Sequence, residues 1–384
     1  MIAYNRQSLD NLDLQQQARE TFEKGLITGE EYDRIRAAYP YSFYHPDFFI
    51  RIGLFILTLI AAAAVLGLFL LAAPGAAEQS ALILGAIAIL VLELFINQRR
   101  MNGSGVDDAL LWVAFTLLLA GINFISTARI TPAGESGLVL VLALIATVRY
   151  ADHGMALVAY GAFLCLIFFT VDPRGPVARA VLPFLIMGLS MGCYFLFTLL
   201  HKKTTFRHYR SCLHLLRLAT LLSLYAAGNY YVVRELNSMI SLSGVNGPVA
   251  FGWLWWSLTA LVPLFYIVRG VQKKDVLWLW TGMALAAASI VTVRYYYHLL
   301  PTEIVMVAGG IVLIAGVYGL SRYLRTPKQG FTAAVSGHPY PLADWPVEGL
   351  IVAESFKGIA AQPADGGTHF GGGDTGGGGA GGQY

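Results

Sequence analysis

The feature that most constrains this chain is a series of ten apolar runs, most of them close to the roughly 20 residues a helix needs to cross hydrocarbon about 30 Å thick. They cover approximately 52–73, 80–97, 108–126, 134–150, 154–171, 179–200, 212–233, 250–268, 276–293 and 303–321. Lipid offers no water to unpaired peptide groups, so each run must close its own hydrogen bonds as a helix. The predicted fold class is therefore all-α, a polytopic transmembrane helix bundle of about ten spans. Composition agrees, because only 13% of the 384 residues are charged, about half the share of an average soluble domain. A string of soluble domains is excluded.

Lysine and arginine collect in the gaps between runs. With a cytoplasmic N-terminus, ten fall in inside loops (Arg99, Arg100, Arg149, Lys202, Lys203, Arg207, Arg210, Arg269, Lys273 and Lys274). Five fall outside (Arg129, Arg174, Arg179, Arg234 and Arg294). The positive-inside rule thus places both termini in the cytoplasm. The fourth run is short, but if it failed to cross, residues 201–210 and 268–275 would face outward against that rule. Starting its helix at Pro132 restores about 18 residues, or about 27 Å. The net charge of +3 is read as an orientation signal and not as a nucleic-acid-binding one.

The first run exceeds the apolar core of a secretory signal, so the small-residue stretch 72–77 is read as following an uncleaved span. Cys165, Cys193 and Cys212 form no CxxC pair and read as small apolar side chains.

Three regions result: 1–47, a cytoplasmic helical hairpin with an aromatic interfacial linker; 48–325, the bundle; and 326–384, an irregular cytoplasmic tail. In the hairpin, Leu14, Ala18 and Phe22 form one helical stripe. Gly25 suits a left-handed C-terminal cap. Thr28 and Glu31 spell a capping box, with Ile27 and Tyr32 as its hydrophobic staple. Tyr32, Ile35 and Tyr39 form the second stripe before Pro40. The final FGGGDTGGGGAGGQY (370–384) has almost nothing to bury and is expected to be disordered.

Few residues invite a chemical reading. Glu93 lies six residues before Arg99, hence about 9 Å inside its run, and Arg217 lies at comparable depth in the seventh. An ionisable group at the hydrocarbon centre costs roughly 2.5–3.5 kcal/mol on insertion scales, so it normally finds a partner. The two are expected to pair. Arg234, Arg294, Tyr295, Tyr296 and Glu303, with Asn229, Tyr230 and Tyr231, are candidates for an external vestibule, although interfaces also collect Arg, Tyr and Trp for anchoring. Pro183 and Pro263 fall within runs, where proline kinks helices. Ala63-xxx-Gly67, Gly188-xxx-Gly192 and Gly282-xxx-Ala286 are small-residue pairs suited to close helix packing.

Gly188-Leu189-Ser190-Met191-Gly192 also matches a hydrolase elbow, yet it sits mid-run and not between strand and helix. No Walker A sequence, HExxH motif or His/Cys cluster is present. No catalytic residue, cofactor or metal is expected.

The segment EKGLITGEEYDRIRAAYP (23–40), followed directly by the first span, resembles bacterial multi-pass membrane protein families of uncharacterised activity that begin with a soluble helical hairpin. It is also similar to short bacterial oligomerisation hairpins with a Gly-Ile-Thr turn and two glutamates, matched here by Gly25, Ile27, Thr28, Glu30 and Glu31. Leu26 intervenes, and the unit is N-terminal instead of C-terminal. The resemblance implies residence in the bacterial cytoplasmic (inner) membrane and self-association, or association with a partner protein, through residues 9–39. It carries over no catalytic residue. The expected role is a non-catalytic scaffold or regulatory membrane component; the alternative is a secondary transporter or flippase for a lipid-linked substrate.

Overall fold

The computed structural model describes residues 2–23, 25–41, 43, 46, 48–72, 77–99, 102–125, 130–171, 176–240 and 250–296, with Ile311, Ile314, Tyr318 and Arg322 beyond them. Among the described residues, all regular elements are helical. Two short helices come first, α1 (Arg6–Glu23) and α2 (Gly29–Ala38). The long ones follow: α3 (Phe48–Ala72), α4 (Ala77–Arg99), α5 (Val106–Ile125), α6 (Pro132–Tyr150), α7 (His153–Thr170) and α8 (Pro176–Lys202). After a 3-10 turn at Thr204–Tyr209 come α9 (Arg210–Gly228), the short α10 (Tyr230–Ile240), α11 (Gly252–Lys273) and α12 (Val276–Tyr296).

Nine helices among the described residues are long and apolar enough to cross a membrane, with mean hydropathy from 1.3 to 2.9. They are α3 to α9, α11 and α12, and they make this a membrane protein of helical type. The chain divides into two compact units, 1–313 and 314–384. In the second, the described residues Ile314, Tyr318 and Arg322 are helical. Most of the expected tenth run, and the whole tail including 370–384, lie outside the described residues.

In the first unit, helices pair with their chain neighbours: α4 with α5, α6 with α7, α8 with α9, α11 with α12. Short connections between spans leave little alternative. One core joins α4 to α7 through Leu92, Ile96, Leu111, Phe115, Ala143 and Met155. A second joins α8, α9, α11 and α12 through Tyr194, Leu221, Leu224, Tyr225, Tyr266 and Leu285. Between them, Ala156 and Tyr160 of α7 pack on Cys212, Leu213 and Leu216 of α9. Buried positions at 213, 216, 220, 224 and 227 follow helical spacing along α9, which is why it can serve both groups. By contrast α3 leaves Ile56, Leu57, Ile60 and Leu68 exposed, a face that suits hydrocarbon.

Glycines allow close approach where α4 meets α5, at Gly121 against Leu82, and where α11 meets α12. A Cβ on Gly282 would stand 2.8 Å from the Ile267 amide nitrogen, and one on Gly270 2.6 Å from that of Leu279. Gly282, the first member of its small-residue pair, thus sits in close contact with α11. Positions 67, 188 and 192 have nothing within 4 Å of such a Cβ.

Local signals set several boundaries. Pro132 opens α6 behind a Thr131 cap on the Gly134 amide. Thr28 and Glu31 exchange both capping-box hydrogen bonds, and Gly25 takes φ +68°. Tyr32 stacks on Phe22 at 5.3 Å, so the ring expected to join a staple also fastens α2 to α1. The Asn5 side chain accepts from the amides of Gln7 and Ser8, starting α1 three residues before the expected position 9. The seventh run is divided: α9 stops at Gly228 because Asn229 turns extended and its side-chain oxygen accepts from the amides of Tyr231 and Val232, starting α10.

Candidate functional site

The densest polar assembly lies where α4 and α6 finish and α5 and α7 begin. The chain's first residues enter it. The Ala3 amide donates to the Arg149 carbonyl at 2.7 Å, and the Tyr4 hydroxyl donates to Asp107 Oδ2 at 3.4 Å. Asp107 is fixed in turn by the amides of Gly103 and Ser104 at 2.7 and 2.9 Å. Gly105 beside it has φ +88° and sits against the Arg51 carbonyl, where no Cβ would fit. Arg51 reaches across to Asp108, Nη2 to Oδ2 at 2.6 Å. Asp152 caps α7 through the Met155 amide. Tyr4, Arg51, Gly103, Asp107, Asp108 and Asp152 line a cavity of about 180 Å³. Burial, and the negative charge of Asp107 and Asp108, push the Tyr4 phenol well above its usual value.

Glu93 and Arg217 have different partners, so the expected pair between them is corrected. Glu93 is bound by Arg149 with both contacts at 2.9 Å, and by the Tyr150 hydroxyl at 2.9 Å. Helix α6 runs to its predicted end, keeping Arg149 on the last helical turn and within reach of α4; the charge count had placed it in a loop. Arg217 pairs with Asp275 at 3.1 Å and lies 5.7 Å from the Tyr194 ring centroid. Trp278 Nε1 donates to the Tyr194 hydroxyl at 2.6 Å. Asp275 begins α12 through the Leu277 amide. Sequence reasoning missed Asp275, although an acid immediately before an apolar run is itself a capping signal.

Deeper polar groups satisfy one another. Tyr160, Ser190 and Ser223 form a hydroxyl trio with contacts of 2.6 to 3.2 Å. Ser190, the centre of the elbow-like motif, is fully buried there. Tyr225 bonds Ser289, while the Asn229 amide group donates to Tyr225 and Thr292.

At the opposite end, part of the expected vestibule set converges. The Arg234 guanidinium lies 4.8 Å over the Tyr296 ring. Tyr295 meets Tyr231 at 5.0 Å, and Tyr230 stacks on Trp256 at 4.5 Å. The cluster is a ring-on-ring packing unit carrying one cation. Arg294 is on the last turn of α12; Glu303 lies outside the described residues. Helices α8 and α11 run unbroken through Pro183 and Pro263. Among the described residues, no group of three or more His, Cys, Asp or Glu side chains is placed to hold a metal.

No family model, curated protein or solved structure matches this chain.

Proposed function

We propose that this is a bacterial inner-membrane protein of about ten spans, with both termini cytoplasmic, acting as a non-catalytic scaffold or regulatory component. On this reading its N-terminal helix pair recruits a second copy or a partner protein. One observation carries the reading: the helix pair is fixed to the bundle while keeping an apolar surface free. Ala3 and Tyr4 anchor its start, and Asp10 is bound by Arg207. Meanwhile Phe22, Leu26 and Tyr39 remain exposed, Leu26 by 73%. A hairpin held rigidly at the cytoplasmic surface loses little further freedom on binding, which favours a recruiting role.

The deep hydroxyl networks support this reading over a transporter. Polar groups that saturate one another stiffen a bundle, whereas a transport path presents unsatisfied groups to substrate near the midplane.

The test is the oligomeric mass of the full chain in detergent against a chain lacking residues 1–40. A fall in mass, or loss of a co-purifying partner, is expected; unchanged mass with unchanged partners overturns the association role. Cysteines placed at Lys202 and Lys273 are expected to be labelled from the same face of the membrane. Labelling from opposite faces overturns the threading.

A further inference from the structure

A second, larger cavity, of about 930 Å³, lies between α1 and the 3-10 turn that joins α8 to α9. That volume is at the upper end of small-molecule sites, roughly 300–1,000 Å³. Its charges do not balance. Asp10 is taken by Arg207, with His208 Nε2 3.5 Å from its other oxygen. Asp13 accepts a hydrogen bond from Gln17 at 3.0 Å. Arg6 and Arg210 also line the cavity, and neither has a carboxylate partner among the described residues. Three arginines thus face two carboxylates, Asp10 and Asp13, which leaves the wall with an excess of one positive charge, and the planar forks of Arg6 and Arg210, in no ion pair among the described residues, match phosphate oxygens best.

The rest of the wall fits the same ligand. Thr204 and Thr205 supply hydroxyl donors beside the arginines, while Ile2 and Phe206 supply an apolar flank. The cavity lies where α8 ends at Lys202, the level at which a spanning helix leaves hydrocarbon and lipid head groups begin. We infer that it binds a phosphate-bearing anion, held by Arg6 and Arg210. The chemistry is shared by an anionic phospholipid head group and by free phosphate. This site does not depend on the recruiting role of the helix pair: one is read by ligand titration and the other by oligomeric mass, so either can fail alone.

The test is thermal unfolding of the full chain in detergent, titrated with phosphatidylglycerol, with phosphatidylcholine, and with inorganic phosphate against chloride at equal ionic strength. Phosphatidylglycerol or phosphate is expected to raise the midpoint by about 5 °C at saturation, as a ligand specific to the folded state does. Response to phosphatidylglycerol alone assigns a lipid; response to phosphate as well assigns a soluble ligand. The double variant Arg6→Ala/Arg210→Ala is expected to lose the shift and Arg6→Lys/Arg210→Lys to recover part of it, with Arg36→Ala on α2 unchanged. Should the double alanine variant fail to fold, Arg6→Gln and Arg210→Gln are titrated singly, each expected to weaken apparent affinity about threefold or more. No shift with either phosphatidylglycerol or phosphate, equal responses to phosphatidylglycerol and phosphatidylcholine with none to phosphate, or arginine variants that respond like the parent, overturn the site.

Discussion

Arg149 holds Glu93 with two parallel contacts, Nε to Oε1 and Nη2 to Oε2, each 2.9 Å long. Such a bidentate pair between α4 and α6 loses more when one partner is removed than when both are, because the survivor keeps its desolvation cost. Arg149 remains 42% exposed, so the effect should fall below that of a fully buried pair. Glu93→Gln and Arg149→Met are each expected to lower stability by about 1–3 kcal/mol, and the double variant by less than their sum. A double-mutant cycle in detergent unfolding checks this. Additive losses would mean that the two side chains are held independently.

The second pair is unequal. Arg217 is 12% exposed and its Nε has no hydrogen-bond partner, while Asp275 is 31% exposed and keeps the Leu277 amide. Orphaning the more buried charge costs more. Asp275→Leu is therefore expected to destabilise by about 2 kcal/mol, and Arg217→Met by less. Thermal midpoints of the two variants decide the order; the reverse order would place the strain on the carboxylate.

What was legible in the sequence follows from which constraints are local. Pro132, Thr28 with Glu31, and Gly25 act within a few residues, and each sits where its spacing requires. The apolar runs were legible because hydrocarbon demands length and composition together. Partner choice was not. Glu93 meets Arg149 because the long arginine side chain at the end of α6 reaches α4, and Arg217 meets Asp275 because α9 contacts both α11 and α12. Depth along a run says nothing of either adjacency. The seventh run showed a similar limit: its apolar residues continue past Gly228, so only the capping chemistry of Asn229 marks the break. The docking of Ala3 and Tyr4 left no periodic trace, since two residues carry no pattern.

The start of α2 should weaken in acid. Hydrogen bonds from the Thr28 amide and hydroxyl hold the Glu31 carboxyl below its ordinary range. A lowered folded value means that its contribution is present above the unfolded value, about 4.3, and is lost as pH falls through the folded one. Amide exchange in the first turn of α2, corrected for intrinsic rates, is expected to accelerate between about pH 5 and 3. Glu31→Gln should flatten that dependence; an unchanged profile would show that the capping box does not govern the turn.

Tyr4 carries the opposite sign. Burial and the facing carboxylates of Asp107 and Asp108 raise its phenol above the usual value of about 10. A raised folded value means that docking is fully supported below that pH and weakens as pH rises beyond it, because the undocked phenol ionises first. Tyr4→Phe keeps the half-buried ring but removes a long hydrogen bond of 3.4 Å, so it should cost at most about 1 kcal/mol and abolish the alkaline release. Tyr4→Ala also empties the ring's place, and is expected to free the first residues at neutral pH. Anisotropy of a fluorophore at Gln7→Cys, an exposed position on α1, reports both effects. If Tyr4→Ala left the anisotropy unchanged at every pH, the segment would be held by the Ala3 amide and the Asp10–Arg207 contact, and the phenol would have no part in seating the helix pair.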